Sequence, residues 1–264
     1  VSVSARRQII ASETIYDHPR YYDILFGWDR SKEADFYSQV FERCGVAAGE
    51  PILEVACGTG RVARLLAQRR WKVTGIDVRP GMVAFLRECS TSTGAAVETL
   101  CGDMTTFSTE RESGAAYNPM SSFGFLQSDA AADAHLQRMA AALRSGGVYV
   151  LDMDFQASAE EMPTTTDESW EMTQGNVTVR AENDAVYVND EGVTHTLAWG
   201  LEGHLRSYTS TTFARRVQAA AGFRIESWHP ERNRATGVSE FSVAYGVEPP
   251  IRGRAMVVLR RGRG

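Results

Sequence analysis

Between residues 51 and 152 the chain alternates short apolar runs with amphipathic helical stretches, and no other feature constrains its fold as strongly. Pro51 to Ala56 reads as a buried strand, and Gly60 to Arg70 as a helix with Val62, Leu65 and Leu66 on one face. Trp71 to Asp77 is a second strand and Pro80 to Glu88 a second helix, opened by a proline whose φ suits a first turn. Ala96 to Cys101 reads as a third strand, Ala115 to Asn118 as a fourth of low apolar density, and Val148 to Asp152 as a fifth. Before the last of these, Asp129 to Arg144 aligns Leu136, Met139, Ala140 and Leu143, and Ser145-Gly146-Gly147 ends the helix. This spacing predicts an α/β fold, a doubly wound and mostly parallel sheet with right-handed crossovers.

The pattern then changes. From about residue 169 to 208 the chain alternates in period two, with Asn183-Asp184 and Asp190-Glu191-Gly192 supplying turn chemistry. A small antiparallel β insert of three or four strands is expected there. The helical period returns at Thr211 to Ala221, and Phe223 to His229 and Ala255 to Arg260 read as late strands. Upstream, Asp29 to Arg43 is an amphipathic helix preceded by an aromatic cluster. The chain therefore divides into a helical N-terminal segment (1–50), an α/β domain (51–164 and 207–264) and the insert (165–206).

Composition narrows the function. With 43% hydrophobic and 23% charged residues in 264, this is a core-forming chain, not a disordered or collagen-like one. The net charge of 28 − 33 = −5 disfavours a nucleic-acid partner, since phosphate neutralisation carries such binding. Apolar runs such as Ala255 to Leu259 are strand-sized, so no membrane partner is expected, and the opening VSVSARRQII lacks the apolar stretch of a secretory signal. Cys44, Cys57, Cys89 and Cys101 form no CxxC pair and have no histidine at ligand spacing. No metal is expected, and four unframed thiols suit the cytoplasm.

The sharpest local signal is Glu54-Val55-Ala56-Cys57-Gly58-Thr59-Gly60, where a strand turns directly into a helix. Gly58 and Gly60 permit positive φ and leave no Cβ to hold a ligand off the backbone. Asp77 ends the next strand, where a carboxylate can accept both hydroxyls of a ribose. The turn lacks the third glycine of a dinucleotide fingerprint, and Glu54 would repel a pyrophosphate. An acid there suits a ligand that carries an amine and no phosphate.

ILEVACGTGRVARLLAQRRWKVTGID, followed by CGDM, resembles the class I S-adenosylmethionine-dependent methyltransferases over roughly residues 15–262. The resemblance implies a seven-stranded sheet with an antiparallel last strand, S-adenosylmethionine as cofactor and S-adenosylhomocysteine as product. It places Glu54, Ala56, Cys57, Gly58 and Gly60 under the methionine part and Asp77 on the ribose. Asp103 takes the adenine amino group, between walls formed by Val78 and Met104, with Met82 and Asn118 completing the set. Tyr22 and Trp28, in an aromatic stretch like that of small-molecule members, would close over the cofactor, where aromatic faces attract a sulfonium. They also fit plain packing on the sheet. One departure stands out: Ser113-Gly114 replaces the family's usual Phe-Asp before the fourth strand.

The resemblance further implies methyl transfer to O or N of a small molecule of natural-product or amino-sugar type. Such a displacement depends on positioning, which contributes about 7–11 kcal/mol. Ser122, Phe123 and Arg206 are candidate acceptor contacts; Arg206 would pair with an acidic acceptor group or with a protein carboxylate. His195, His204 and Tyr208 are the candidates for a base. The alternative is a non-catalytic cofactor-binding homologue that serves as an assembly or partner subunit. Exposed strand edges in the insert also invite a homodimer contact.

Overall fold

The computed structural model describes residues 7–157, 169–182, 185–199, 205–220, 222–231, 241–242 and 249–262. In chain order the elements begin with β1 (Arg7–Thr14), α1 (Pro19–Leu25), α2 (Ser31–Arg43), β2 (Pro51–Val55) and α3 (Arg61–Gln68). They continue with β3 (Lys72–Asp77), α4 (Pro80–Thr93), β4 (Val97–Cys101), β5 (Ser113–Asn118), α5 (Asp129–Ala142) and β6 (Leu143–Phe155). Then follow β7 (Trp170–Gln174), β8 (Val177–Glu182), β9 (Ala185–Asp190), β10 (Val193–Ala198), α6 (Ser210–Ala219), β11 (Phe223–Pro230) and β12 (Gly253–Arg261). The chain forms two compact units, Val1–Asp29 with Thr164–His204, and Arg30–Pro163 with Leu205–Gly264.

The larger unit is built on a seven-stranded sheet in the order β11-β12-β6-β5-β2-β3-β4. β2 pairs in parallel with β3 and β5, as do β3 with β4 and β5 with β6. β12 runs antiparallel to both β6 and β11, giving the mostly parallel α/β sheet that the sequence predicts. Alternate residues feed two cores. Leu53, Val55, Ala116 and Leu151 pack with Leu136, Met139, Phe213 and Val217 on one face. Ile52, Tyr117 and Val150 pack with Phe36, Tyr37, Val62 and Leu66 on the other.

Boundaries move where side chains satisfy the backbone. α4 runs to Thr93, past the expected Glu88, and within its last turns the Ser90, Thr91 and Thr93 hydroxyls donate to the carbonyls of Leu86, Arg87 and Cys89. Gly94, at φ 68°, then stops it. α5 starts on Ser128, whose hydroxyl accepts the Ala131 amide at 3.1 Å, and ends at Ala142, two residues short of the expected Arg144. Leu143 already lies in β6, where it pairs with Ser113.

β5, the strand of low apolar density, is buried along its whole length. It lies between β2 and β6, and those neighbours bury it. At Gly114, a Cβ would stand 2.3 Å from Glu50 Oε2 and 2.8 Å from Val46 Cγ1. The Glu50 carboxylate that fills this place accepts from Arg144 Nε at 2.5 Å. The departure from Phe-Asp is thus filled by an ion pair between two other segments.

The smaller unit is a five-stranded sheet in the order β1-β10-β9-β8-β7. β7 to β10 are antiparallel neighbours, and Val177, Val179, Ala181, Val186, Val188 and Leu197 turn one face inward. β1 adds in parallel to β10, so residues read as part of a helical segment begin with a strand. Phe26 packs on Trp170 and Trp199, each at 6.0 Å between ring centroids, and Trp170 Nε1 donates to the Leu25 carbonyl at 3.0 Å.

Candidate functional site

In the larger unit the carboxyl ends of the parallel strands carry the residues singled out from sequence. Val55 ends β2, and the chain then turns through Ala56, Gly58 and Gly60 at φ 55°, 53° and 69°. The Cys57 amide donates to the Ile76 carbonyl at 2.9 Å, pinning the turn to β3. A Cβ on Gly60 would fall 2.3 Å from Leu86 Cδ1, so glycine is required here by packing as well as by conformation.

Asp77 Oδ2 accepts the Gly58 amide at 2.7 Å and Oδ1 accepts the Arg79 amide at 2.9 Å. Burial pushes this carboxyl above its ordinary value, while those amides pull the other way. The Asp77 carbonyl also accepts the Gly102 amide at 2.9 Å, joining the two acids of the site through backbone. Asp103, more exposed, accepts from both the amide and hydroxyl of Thr105, and these bonds hold it below the usual carboxylate range. Val78 is 60% exposed and Met104 half-buried, apolar surface standing at a polar edge. Met82 and Cys57 are buried, and burial pushes the Cys57 thiol up.

Glu54 is buried, with Oε2 accepting the Tyr117 hydroxyl at 2.9 Å. Burial raises its carboxyl to about 8, against the pull of Tyr117, the Ala63 amide, Arg61 and Arg64. Asn118 Nδ2 donates to the Val55 carbonyl at 2.8 Å, whereas among the described residues its buried Oδ1 has no partner, nor has the buried Thr59 hydroxyl. A glycine cradle with unsatisfied polar atoms beside it and acids at the next two strand ends fits a ligand rich in amine and hydroxyl donors. S-adenosylmethionine is such a ligand.

The loop after β5 is a tight turn, with Met120 and Ser121 at φ 56° and 54°. The Met120 amide donates to Asp152 Oδ2 at 2.9 Å, and Ser122 Oγ to the Pro119 carbonyl at 2.8 Å. Asp152 in turn accepts Arg254 Nε at 2.9 Å and Nη2 at 2.7 Å. Phe123 is fully buried against Tyr208, His135 and Phe213, so it supports the loop from within the core.

Arg206 meets a protein carboxylate, and among the described residues its buried Nη1 has no hydrogen-bond partner. Its guanidinium bonds the Asp129 carboxylate and lies 5.0 Å from the Tyr208 ring centroid, and its amide donates to the Gly124 carbonyl. Tyr208 is buried, and among the described residues its hydroxyl has no partner. Burial raises the phenol above its ordinary value, so at neutral pH it can donate a proton to a hydrogen bond but is a poor base. His195 lies on β10 of the smaller unit, 6.4 Å from Tyr21 between ring centroids. His204 and most of residues 231–252, the stretch between β11 and β12, lie outside the described residues. Tyr22 packs on Phe26 at 4.6 Å, and Trp28, 41% exposed, on Trp170 at 5.6 Å, all within the smaller unit.

Sequence reasoning passed over Tyr117, Asp152, Arg254 and His135 as parts of this edge. Asp152 carried a visible signal, being an acid at the end of the expected strand Val148–Asp152, although β6 runs on to Phe155. Arg254 carried none, because its partners are distant in sequence. Among the described residues no group of three or more His, Cys, Asp or Glu could hold a metal ion.

Residues 52–147 match a family model described as a methyltransferase domain. Over 224 residues the chain is 30% identical to the dTDP-3-amino-3,6-dideoxy-alpha-D-glucopyranose N,N-dimethyltransferase of Streptomyces fradiae, covering 78% of this chain and 83% of that one. An S-adenosylmethionine-dependent methyltransferase of Clostridium acetobutylicum shares the fold at TM-score 0.72 and 15% identity, over 94% of this chain and 99% of the other. So does an S-adenosylmethionine-bound amino pentose methyltransferase of Micromonospora echinaspora, at TM-score 0.65 and 21% identity, over 94% and 97%. These relatives lend no support to a non-catalytic partner subunit. With the glycine turn, the strand-end acids and a relative matched over most of its length, the chain belongs to the class I S-adenosylmethionine-dependent methyltransferases.

Proposed function

We propose that this enzyme methylates the amino group of a nucleotide-linked amino sugar. The observation that carries the reading is the 30% identity to an amino-sugar N,N-dimethyltransferase over 83% of its length. The cofactor supplies a methyl group on a sulfonium. In this reading Asp77 holds the ribose, Asp103 the adenine amino group, and Asn118 Oδ1 and Thr59 Oγ1 take donors near the glycine turn. Val78 and Met104 exclude water from the base.

An amine attacks through its lone pair, so the acceptor must arrive deprotonated or lose its proton before transfer. No strong base is then required of Tyr208, whose burial suits it to hydrogen bonding, and positioning carries most of the work. His195 and His204 remain candidate bases of the same proposal. Ser122, Phe123 and Arg206 shape the acceptor side, the last two from within the fold. A lid role for the N-terminal segment of 1–50, with Tyr22 and Trp28 on the cofactor, and a cover over the acceptor from residues 165–206 belong to this proposal too; within that segment α2 packs in the core of the larger unit.

The net charge of −5 supports a small-molecule acceptor over a nucleic acid. The free cysteines Cys44, Cys57, Cys89 and Cys101 support a cytoplasmic setting, and β1 and β7, the outer strands of their sheet among the described residues, support a homodimer contact. Among the described residues no helix is long and apolar enough to cross a membrane.

The test is incubation with S-adenosylmethionine and dTDP-linked sugars bearing an amine at C3, an amine at C4, or hydroxyls only, read by mass spectrometry. Gain of one or two methyl groups on an amino sugar alone is expected. Methylation of the hydroxyl sugar instead would replace N-transfer by O-transfer, and no product from any sugar would refute the acceptor class.

A further inference from the structure

Helix α5 presents two polar side chains, three residues apart, to the loop that follows β4. His135 is fully buried, with Nδ1 2.9 Å from the Met104 carbonyl and Nε2 2.8 Å from the Tyr149 hydroxyl. A carbonyl can only accept, so Nδ1 carries the proton, and Nε2 accepts from the tyrosine. Burial brings the imidazole down to about 4, which keeps this neutral tautomer in place at neutral pH. Arg138 Nη1 donates to the Phe107 carbonyl at 2.9 Å.

Between these two grips the loop closes on Asp103. Its carbonyl accepts the amides of Thr106 and Phe107 at 3.0 and 2.9 Å, and its carboxylate accepts from Thr105. Such internal bonds give the loop its shape but not its place. The Gly102 amide ties one end to β3 through the Asp77 carbonyl, and α5 holds the rest through Met104 and Phe107.

We propose that His135, with Arg138, is a positioning residue for adenine recognition: by holding the Met104 carbonyl it sets where Asp103 is presented to the adenine amino group. The inference rests on the reading of Asp103 as the residue that takes that amino group.

The experiment is calorimetric titration of the full chain with S-adenosylhomocysteine and with S-inosylhomocysteine, whose base carries a carbonyl in place of the amino group. The parent is expected to prefer the adenine compound by roughly ten-fold or more, since a carboxylate left facing a carbonyl is unpaired. Hypoxanthine also carries a proton on N1, so Asp103→Ala should reduce the preference to whatever part rests on N1. A preference undiminished by that change overturns the reading of Asp103, and this inference with it.

With that reading intact, His135→Asn and His135→Gln separate the two ring nitrogens. Asparagine places an amide nitrogen near Nδ1 and should keep the preference. Glutamine reaches instead toward Nε2 and should lose most of it. A merely structural histidine would lower the melting temperature in both variants and leave the ratio of the two affinities unchanged. Equal preference in both variants and the parent overturns the inference. Should either variant fail to fold, Arg138→Met decides: a preference reduced severalfold supports the inference, and an unchanged one overturns it.

Discussion

Glu54 shows how one residue can be placed by sequence and yet be given its chemistry by its surroundings. Sequence puts it at the end of a strand, under a glycine turn, as an acid facing an amine. In the fold it is enclosed, bonded to Tyr117, and raised by burial to about 8 from an ordinary 4.5. The folded protein thus holds this proton more tightly than the unfolded chain does. Stability from Glu54 is full below pH 4.5 and is lost as pH rises from 4.5 toward about 8. Glu54→Gln removes that loss while keeping an acceptor for Tyr117. Thermal melts without ligand should show the variant gaining on the parent by a few degrees between pH 5 and pH 8, as about 1 kcal/mol moves a domain of this size by roughly 2–4 °C. Parallel pH profiles would refute the assignment. Asp77 is the contrasting case, because its carboxylate is legible and also serves the fold through the Gly58 amide. Asp77→Ala should weaken S-adenosylhomocysteine binding by roughly ten-fold or more in calorimetry, with charge-assisted bonds lost. Unchanged affinity would refute the ribose assignment.

At the scale of elements, periodicity located nearly every strand and helix of the larger unit, and the errors have local causes. β5 looked weak because Ala115, Ala116 and Gly114 carry little apolar surface; its burial comes from neighbours on both sides. Gly114 cannot be understood without Glu50 and Arg144, which lie 64 and 30 residues away along the chain. Gly114→Ala should cost about 1–3 kcal/mol in chemical denaturation by overpacking against Glu50. Adding Glu50→Ala should return part of that loss; a double variant less stable by the simple sum would show that Glu50 is not the obstacle. β1 is not legible in its own residues. A strand that adds to the edge of a sheet formed by residues nearly 190 positions later leaves no mark in its own sequence period.

Across the larger unit the longest-range tie is the Arg254 cluster. Arg254 on β12 meets Asp152 at 2.7 Å, Glu231 at 3.2 Å and Glu33 at 3.4 Å, bringing the late hairpin, β6 and α2 to one buried point. Arg30 also reaches Glu33, at 2.7 Å. Since Asp152 holds the Met120 amide, this cluster also sets the left-handed turn of the loop after β5. Arg254→Met would leave buried carboxylates without their shared partner. Urea denaturation should register a loss of about 3–5 kcal/mol. A midpoint equal to the parent's would mean that the carboxylates are held without it.

By itself the sequence determined the alternation that builds the sheet, the turn at Gly58 and Gly60, and the acids at two strand ends, because each is written in neighbouring residues or in a short period. The tertiary structure alone decided which polar groups find partners inside the fold. Arg206 meets Asp129, Glu54 meets Tyr117, and His135 meets Met104 and Tyr149. Burial and pairing depend on what the rest of the chain packs around a side chain, and residue type and local spacing carry no record of it.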